Sequence, residues 1–131
     1  MAEPKYYWRI RPSSVVGDKI ENFSGEGDEL TIGSRVTFND WFGAVFIGKS
    51  MDNAITLPCK AMKFGTNPFT VSLWICSDKL LPNSTIFGNR SASSHGEFFC
   101  LRYARGKVFA EFDNSGNPYA ALQSEVMVND G

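Results

Sequence analysis

Apolar residues in this chain recur with a period of two, and that spacing constrains the fold more than any other feature. In residues 5–11 (KYYWRIR), Tyr6, Trp8 and Ile10 share one face, against Tyr7, Arg9 and Arg11. In residues 69–76 (FTVSLWIC), Phe69, Val71, Leu73 and Ile75 oppose Thr70, Ser72, Trp74 and Cys76. In residues 97–103 (EFFCLRY), Phe99, Leu101 and Tyr103 oppose Phe98, Cys100 and Arg102. In residues 107–113 (KVFAEFD), Val108, Ala110 and Phe112 oppose Lys107, Phe109, Glu111 and Asp113. Each run predicts a strand with one dry and one mixed face, as in antiparallel sheets. A period near 3.6 is almost absent.

Turn formers separate the runs. Arg105-Gly106 between two alternating segments predicts a hairpin. Residues 25–28, 67–68, 81–83 and 114–118 are rich in Gly, Pro, Asn, Asp and Ser and predict loops. Weaker strands are expected near 29–33, 44–47, 54–57 and 85–88, with another at Val126 to Val128 before an Asn129-Asp130-Gly131 turn. A single helical turn is expected near 59–63. Many short strands with regular turns argue for a two-sheet sandwich.

Composition narrows the function classes. At 131 residues, 43% of them hydrophobic, the chain is long enough for one domain with a real core, 1–131, in which 1–27 form an N-terminal strand and loop. A formal net charge of -1 offers no basic field for a phosphate backbone, so no nucleic-acid partner is expected. No apolar run is long enough for a membrane-spanning helix. Residues 1–12 lack the apolar stretch of a secretory signal. Cys59, Cys76 and Cys100 make an odd count without a CxxC spacing and predict small buried hydrophobes. Asn22, Asn83 and Asn89 open glycosylation sequons, which matter only in a eukaryotic secretory pathway.

Several stretches together carry a family likeness. Trp41-Phe42-Gly43-Ala44 is followed by Ala54-Ile55-Thr56-Leu57-Pro58, then by Phe64-Gly65 and Phe69-Thr70-Val71-Ser72-Leu73-Trp74-Ile75. Thr85-Ile86-Phe87-Gly88-Asn89 and Val128-Asn129-Asp130-Gly131 complete the order. Across residues 28–131 this order resembles the laminin-G-like, concanavalin-A-like jelly-roll domains. The resemblance implies an all-β antiparallel jelly-roll β-sandwich. It also implies further strands after the final turn, so the sandwich is expected to be incomplete at its C-terminus. An unfinished sheet exposes unpaired edge backbone. The expected reasons, in order, are a longer parent chain, a naturally reduced domain, and a neighbouring chain that completes the sheet by β-augmentation.

No catalytic set emerges, and the chain is not expected to be an enzyme. His95 lies in the loop-like SASSHG stretch beside Ser93 and Ser94, with no acidic group to orient it. Glu97 and Glu111 are carboxylates, but they do not form the cluster of a glycosidase. The resemblance implies calcium at the sandwich rim in some family members, which makes Asp113 and Asn117 the candidate metal ligands and calcium the one cofactor to consider. A plain hairpin loop built from turn formers is the stronger reading of residues 113–117. Asp52-Asn53 raises the same question less strongly. Trp8, Trp41, Trp74, Tyr103 and Tyr119 are rings able to stack on a sugar or anchor an interface, although packing is the commoner role. Asn89, His95 and Tyr119 are the candidate ligand-binding residues.

The expected function is non-catalytic, lectin-like or adhesive recognition of a glycan or protein surface, on an exported or particle-displayed protein. The alternative is a structural or assembly subunit of a viral or phage particle that docks through its open sheet edge. An extracellular or virion-surface location follows from either.

Overall fold

A computed structural model describes residues 4–25, 27–48, 50–57, 68–77, 83–90, 98–113 and 120–128. The chain is all-β and its sheets are antiparallel, consistent with the expected β-sandwich. Among the described residues the helical content is two single 3-10 turns, Pro12–Ser14 and Met51–Asn53. Backbone packing divides the chain into two compact units, Met1–Thr70 and Val71–Gly131.

Among its described residues the first unit holds six short strands, β1 (Val15–Val16), β2 (Lys19–Ile20), β3 (Leu30–Ile32), β4 (Thr37–Asn39), β5 (Gly43–Val45) and β6 (Ile55–Thr56). They form a sheet ordered β1-β2-β3-β6 and a separate β4-β5 hairpin. Among the described residues Ile20 and Leu30 are its buried apolar side chains, paired across β2 and β3. At the hairpin, Gly43 has φ +75° and its backbone presses on the Ile10 carbonyl, so no side chain fits there. Asn39 Oδ1 accepts from Trp41 N at 2.8 Å and shapes the turn, leaving Trp41 90% exposed.

The described residues of the second unit form a four-stranded meander, β7 (Ser84–Gly88), β8 (Phe98–Ala104), β9 (Lys107–Asp113) and β10 (Ala120–Gln123), in the order β10-β9-β8-β7. The Arg105-Gly106 turn is confirmed: Ala104 pairs with Lys107, and the two turn residues have φ 52° and 84°. Two consecutive positive φ values are those of the hairpin turn whose twist matches the flanking strands. On one sheet face Phe87, Phe99 and Phe112 form a row, with centroids 6.1 and 5.1 Å apart.

Five expectations need correction. Residues 5–11 form no strand; they make a single bridge, Trp8 to Asn22. The reason is local: Asn22 Oδ1 accepts from Tyr7 N at 3.0 Å, so a side chain takes a donor that a ladder would use. The alternation survives in the side chains, since Tyr6 stacks on Trp8 at 5.6 Å. Residues 69–76 also form no strand, and Phe69, Leu73 and Ile75 are 42%, 40% and 38% exposed instead of buried.

The last strand falls on Ala120–Gln123, not on Val126 to Val128. Past it, Ser124 Oγ accepts from Val108 N and donates to the Val126 carbonyl, so the chain bends at 125–126 before Val128 N donates to the Gly106 carbonyl. Cys76 is exposed, whereas Cys100 is buried as expected. The mixed face of β8 is not open: Phe98 and Cys100 are as buried as Phe99 and Tyr103 on the other face. The expected helical turn near 59–63 and the 129–131 turn lie outside the described residues.

Candidate functional site

One end of the second sheet gathers the candidate residues. β7 ends there, β8 begins there, β9 ends there and β10 begins there. Gly88 has φ +156°, and a Cβ on it would lie 2.5 Å from the Phe99 carbonyl, so only glycine lets β7 approach β8 this closely. Asn89 then clamps the strands together. Its backbone N donates to the Phe99 carbonyl at 3.1 Å, and its Oδ1 accepts from Phe99 N at 2.8 Å. The Asn89 side chain is thus half committed to the fold, with its amide nitrogen left as the group that can meet a ligand.

Asp113 closes β9 opposite Phe98 and is 9% exposed. His95, Asn117 and Tyr119 lie outside the described residues. Among the described residues there is no group of three His, Cys, Asp or Glu able to hold a metal ion. Asn53, the other amide considered for a cation, is turned to structural use: its Oδ1 accepts from Ile47 N and its Nδ2 donates to the Gly48 carbonyl.

Inward from that end lies an ion network absent from the expectations above. Glu111 is 1% exposed and its carboxylate meets two guanidiniums, Arg90 Nη1 at 2.9 Å and Arg102 Nη2 at 2.8 Å. Arg90 lies over the Phe98 ring at 4.6 Å and Arg102 over Phe109 at 4.4 Å. Two cations on one carboxylate, each seated on an aromatic face, supply the compensation that a buried charge needs. Arg102 Nε is buried without a hydrogen-bond partner. Cys100, cross-strand from Glu111, has its thiol pushed above the ordinary value by burial, against the opposing effect of its Thr85 hydrogen bond. With both oxygens held by arginines, Glu111 is poorly placed for the carboxylate-pair chemistry of a glycosidase.

The sequence did contain a signal for this network. A two-residue turn at Arg105-Gly106 fixes the register, placing Arg102 diagonal to Glu111 on one face, where opposite charges attract. Arg90 carries no such signal. Among the aromatic candidates, Tyr103 is buried at 3%, Trp8 is half-buried, and Trp41 and Trp74 are exposed.

The class defined by these features is an all-β chain of short antiparallel strands. No protein-family model and no curated protein matches the sequence. A crystal structure of an S-layer domain-containing protein from Clostridium thermocellum ATCC 27405 is similar in fold, with a TM-score of 0.68 at 18% identity. The alignment covers 98% of this chain and 60% of that one, so the chain spans about three fifths of its structural neighbour.

Proposed function

We propose that this chain is a non-catalytic recognition module of a surface-displayed protein, with a glycan or a protein surface as its ligand. The observation that carries this reading is the sheet end where Asn89 follows β7, Phe98 opens β8 and Asp113 closes β9, which brings two of the candidate residues together. Loops on a rigid strand frame are where binding residues concentrate. Fold likeness to an S-layer domain-containing protein supports surface display, and the resemblance to laminin-G-like jelly rolls supports recognition, both by analogy. His95, Asn117 and Tyr119 lie outside the described residues and stay candidates on the sequence alone, and calcium is the ion to include.

The test is capture of glycans and proteins by the immobilised chain, first with calcium and then with a chelator. Asn117→Ala with Tyr119→Ala should abolish capture and leave the thermal midpoint in place. Capture that is unchanged in this double variant would overturn the reading. A second reading, a structural subunit of a viral or phage particle that assembles through open sheet backbone, is favoured by one observation. Among the described residues, 70–76 make no strand pairing.

A further inference from the structure

Residues 70–76 (TVSLWIC) carry the pattern of a strand and lack a strand's partners. Val71, Leu73 and Ile75, with the neighbouring Ser72, line an open cavity of about 390 Å³ against Ile86, Leu101, Val108 and Val128. Trp74 lies outside that lining and is 101% exposed. No backbone hydrogen bond of residues 70–76 occurs among the described residues. Among the described residues these seven therefore have no backbone partner, and their sequence alternation suits a sheet. Unpaired backbone of this kind is a template for another strand.

We propose that residues 70–76 form the seam of a twofold dimer, pairing antiparallel with the same residues of a second copy about Leu73. Self-pairing is favoured by the segment's symmetry. With Leu73 at the centre, Val71 meets Ile75, Ser72 meets Trp74 and Thr70 meets Cys76, so the unbonded span is matched end to end. The same register keeps Val71, Leu73 and Ile75 of both copies on one face, which a one-residue slip would destroy. The segment contains no charged residue, proline or glycine, the features that natural edges use to repel a second copy. Trp74 lies over Ser72 of the second copy and brings a large exposed ring into the interface. Because each copy uses the same residues, the contact closes on itself as an isologous dimer.

This inference rests on the assembly reading and is independent of the loop-end ligand. It is tested by light scattering on the full chain. The wild-type protein should have twice the 14.5 kDa chain mass. Ser72→Lys/Trp74→Lys sets lysines opposite one another twice across the seam and should give a monomer. Ser72→Lys/Trp74→Glu sets opposite charges at the same positions and should restore the dimer. Both positions are exposed, so the variants should share one thermal midpoint at high dilution.

Register is read separately by oxidation. In a Cys59→Ser background, Thr70→Cys should form a disulfide with Cys76 of the second copy, and Val71→Cys should not. A monomeric wild-type chain at every concentration would overturn both this inference and self-assembly, leaving the segment to a different polypeptide strand. An oligomer that survives Ser72→Lys/Trp74→Lys, or that lacks the Thr70→Cys crosslink, would overturn this seam and leave the assembly reading standing.

Discussion

Arg102 reaches Glu111 diagonally across the β8–β9 hairpin, Nη2 to Oε1 at 2.8 Å, while Cys100 stands directly opposite the same glutamate. Buried charge pairs of this type are costly to break and not always costly to replace. Glu111→Ala, which strands two arginines, is expected to lower stability by about 3–5 kcal/mol. An Arg102→Met/Glu111→Met double variant should lose clearly less. Urea unfolding of both variants checks the order, and equal losses would show that the ion pair is not what the site depends on.

The Arg105-Gly106 turn gives a sharper contrast. Gly106→Val places a β-branched residue at φ 84° and should cost about 1–2 kcal/mol. Arg105 already holds φ 52°, so Arg105→Asn should stabilise the chain by several tenths to about 1 kcal/mol. Thermal midpoints should move in opposite directions for the two variants.

Phe99 and Leu73 separate core from cover. Phe99 is 6% exposed within the Phe87–Phe99–Phe112 row, and Phe99→Ala should cost about 3–5 kcal/mol. A buried central-strand leucine would lose about 2–5 kcal/mol on truncation. At 40% exposure beside an open cavity, Leu73→Ala should lose only about 1 kcal/mol. Reversible unfolding at matched conditions distinguishes them.

Cys100 predicts an alkaline weakness. Burial raises its thiol above the ordinary 9.0, so the folded state holds the proton longer than the unfolded state does. That stabilising difference is complete below pH 9 and is lost as pH rises through the folded value. A Cys100→Ala chain should show a flatter decline above pH 9, whatever its starting stability. In the native protein, iodoacetamide should modify exposed Cys76 promptly and Cys100 only after unfolding.

Period two and turn chemistry located β3, β7, β8 and β9 because each has both an alternating face and a bounding turn. The same signal over-assigned residues 5–11 and 69–76. Alternation reports which side chains share a face, but pairing depends on a partner strand, and that information lies elsewhere in the chain. At Tyr7 the competing acceptor was the Asn22 side chain. β10 was missed because Ala120, Ala121, Leu122 and Gln123 are all exposed and show no alternation. The Asn89 clamp was legible only as a polar residue after a glycine, since its two bonds to Phe99 depend on how closely Gly88 lets the strands approach.

The nearest-neighbour order of β7 to β10 has a kinetic consequence. Every pairing in that meander joins strands consecutive in the chain, and β8 and β9 are linked by two residues. The β3–β6 pairing instead brings Ile32 to Ile55 across an intervening hairpin. Closing the longer loop costs more chain entropy before any contact rewards it, so the meander should assemble first. Phe112→Leu should then slow refolding, whereas Ile20→Val should mainly speed unfolding. Closure of β3 on β6 would thus be a late event in the first unit, after the β7–β10 meander has formed.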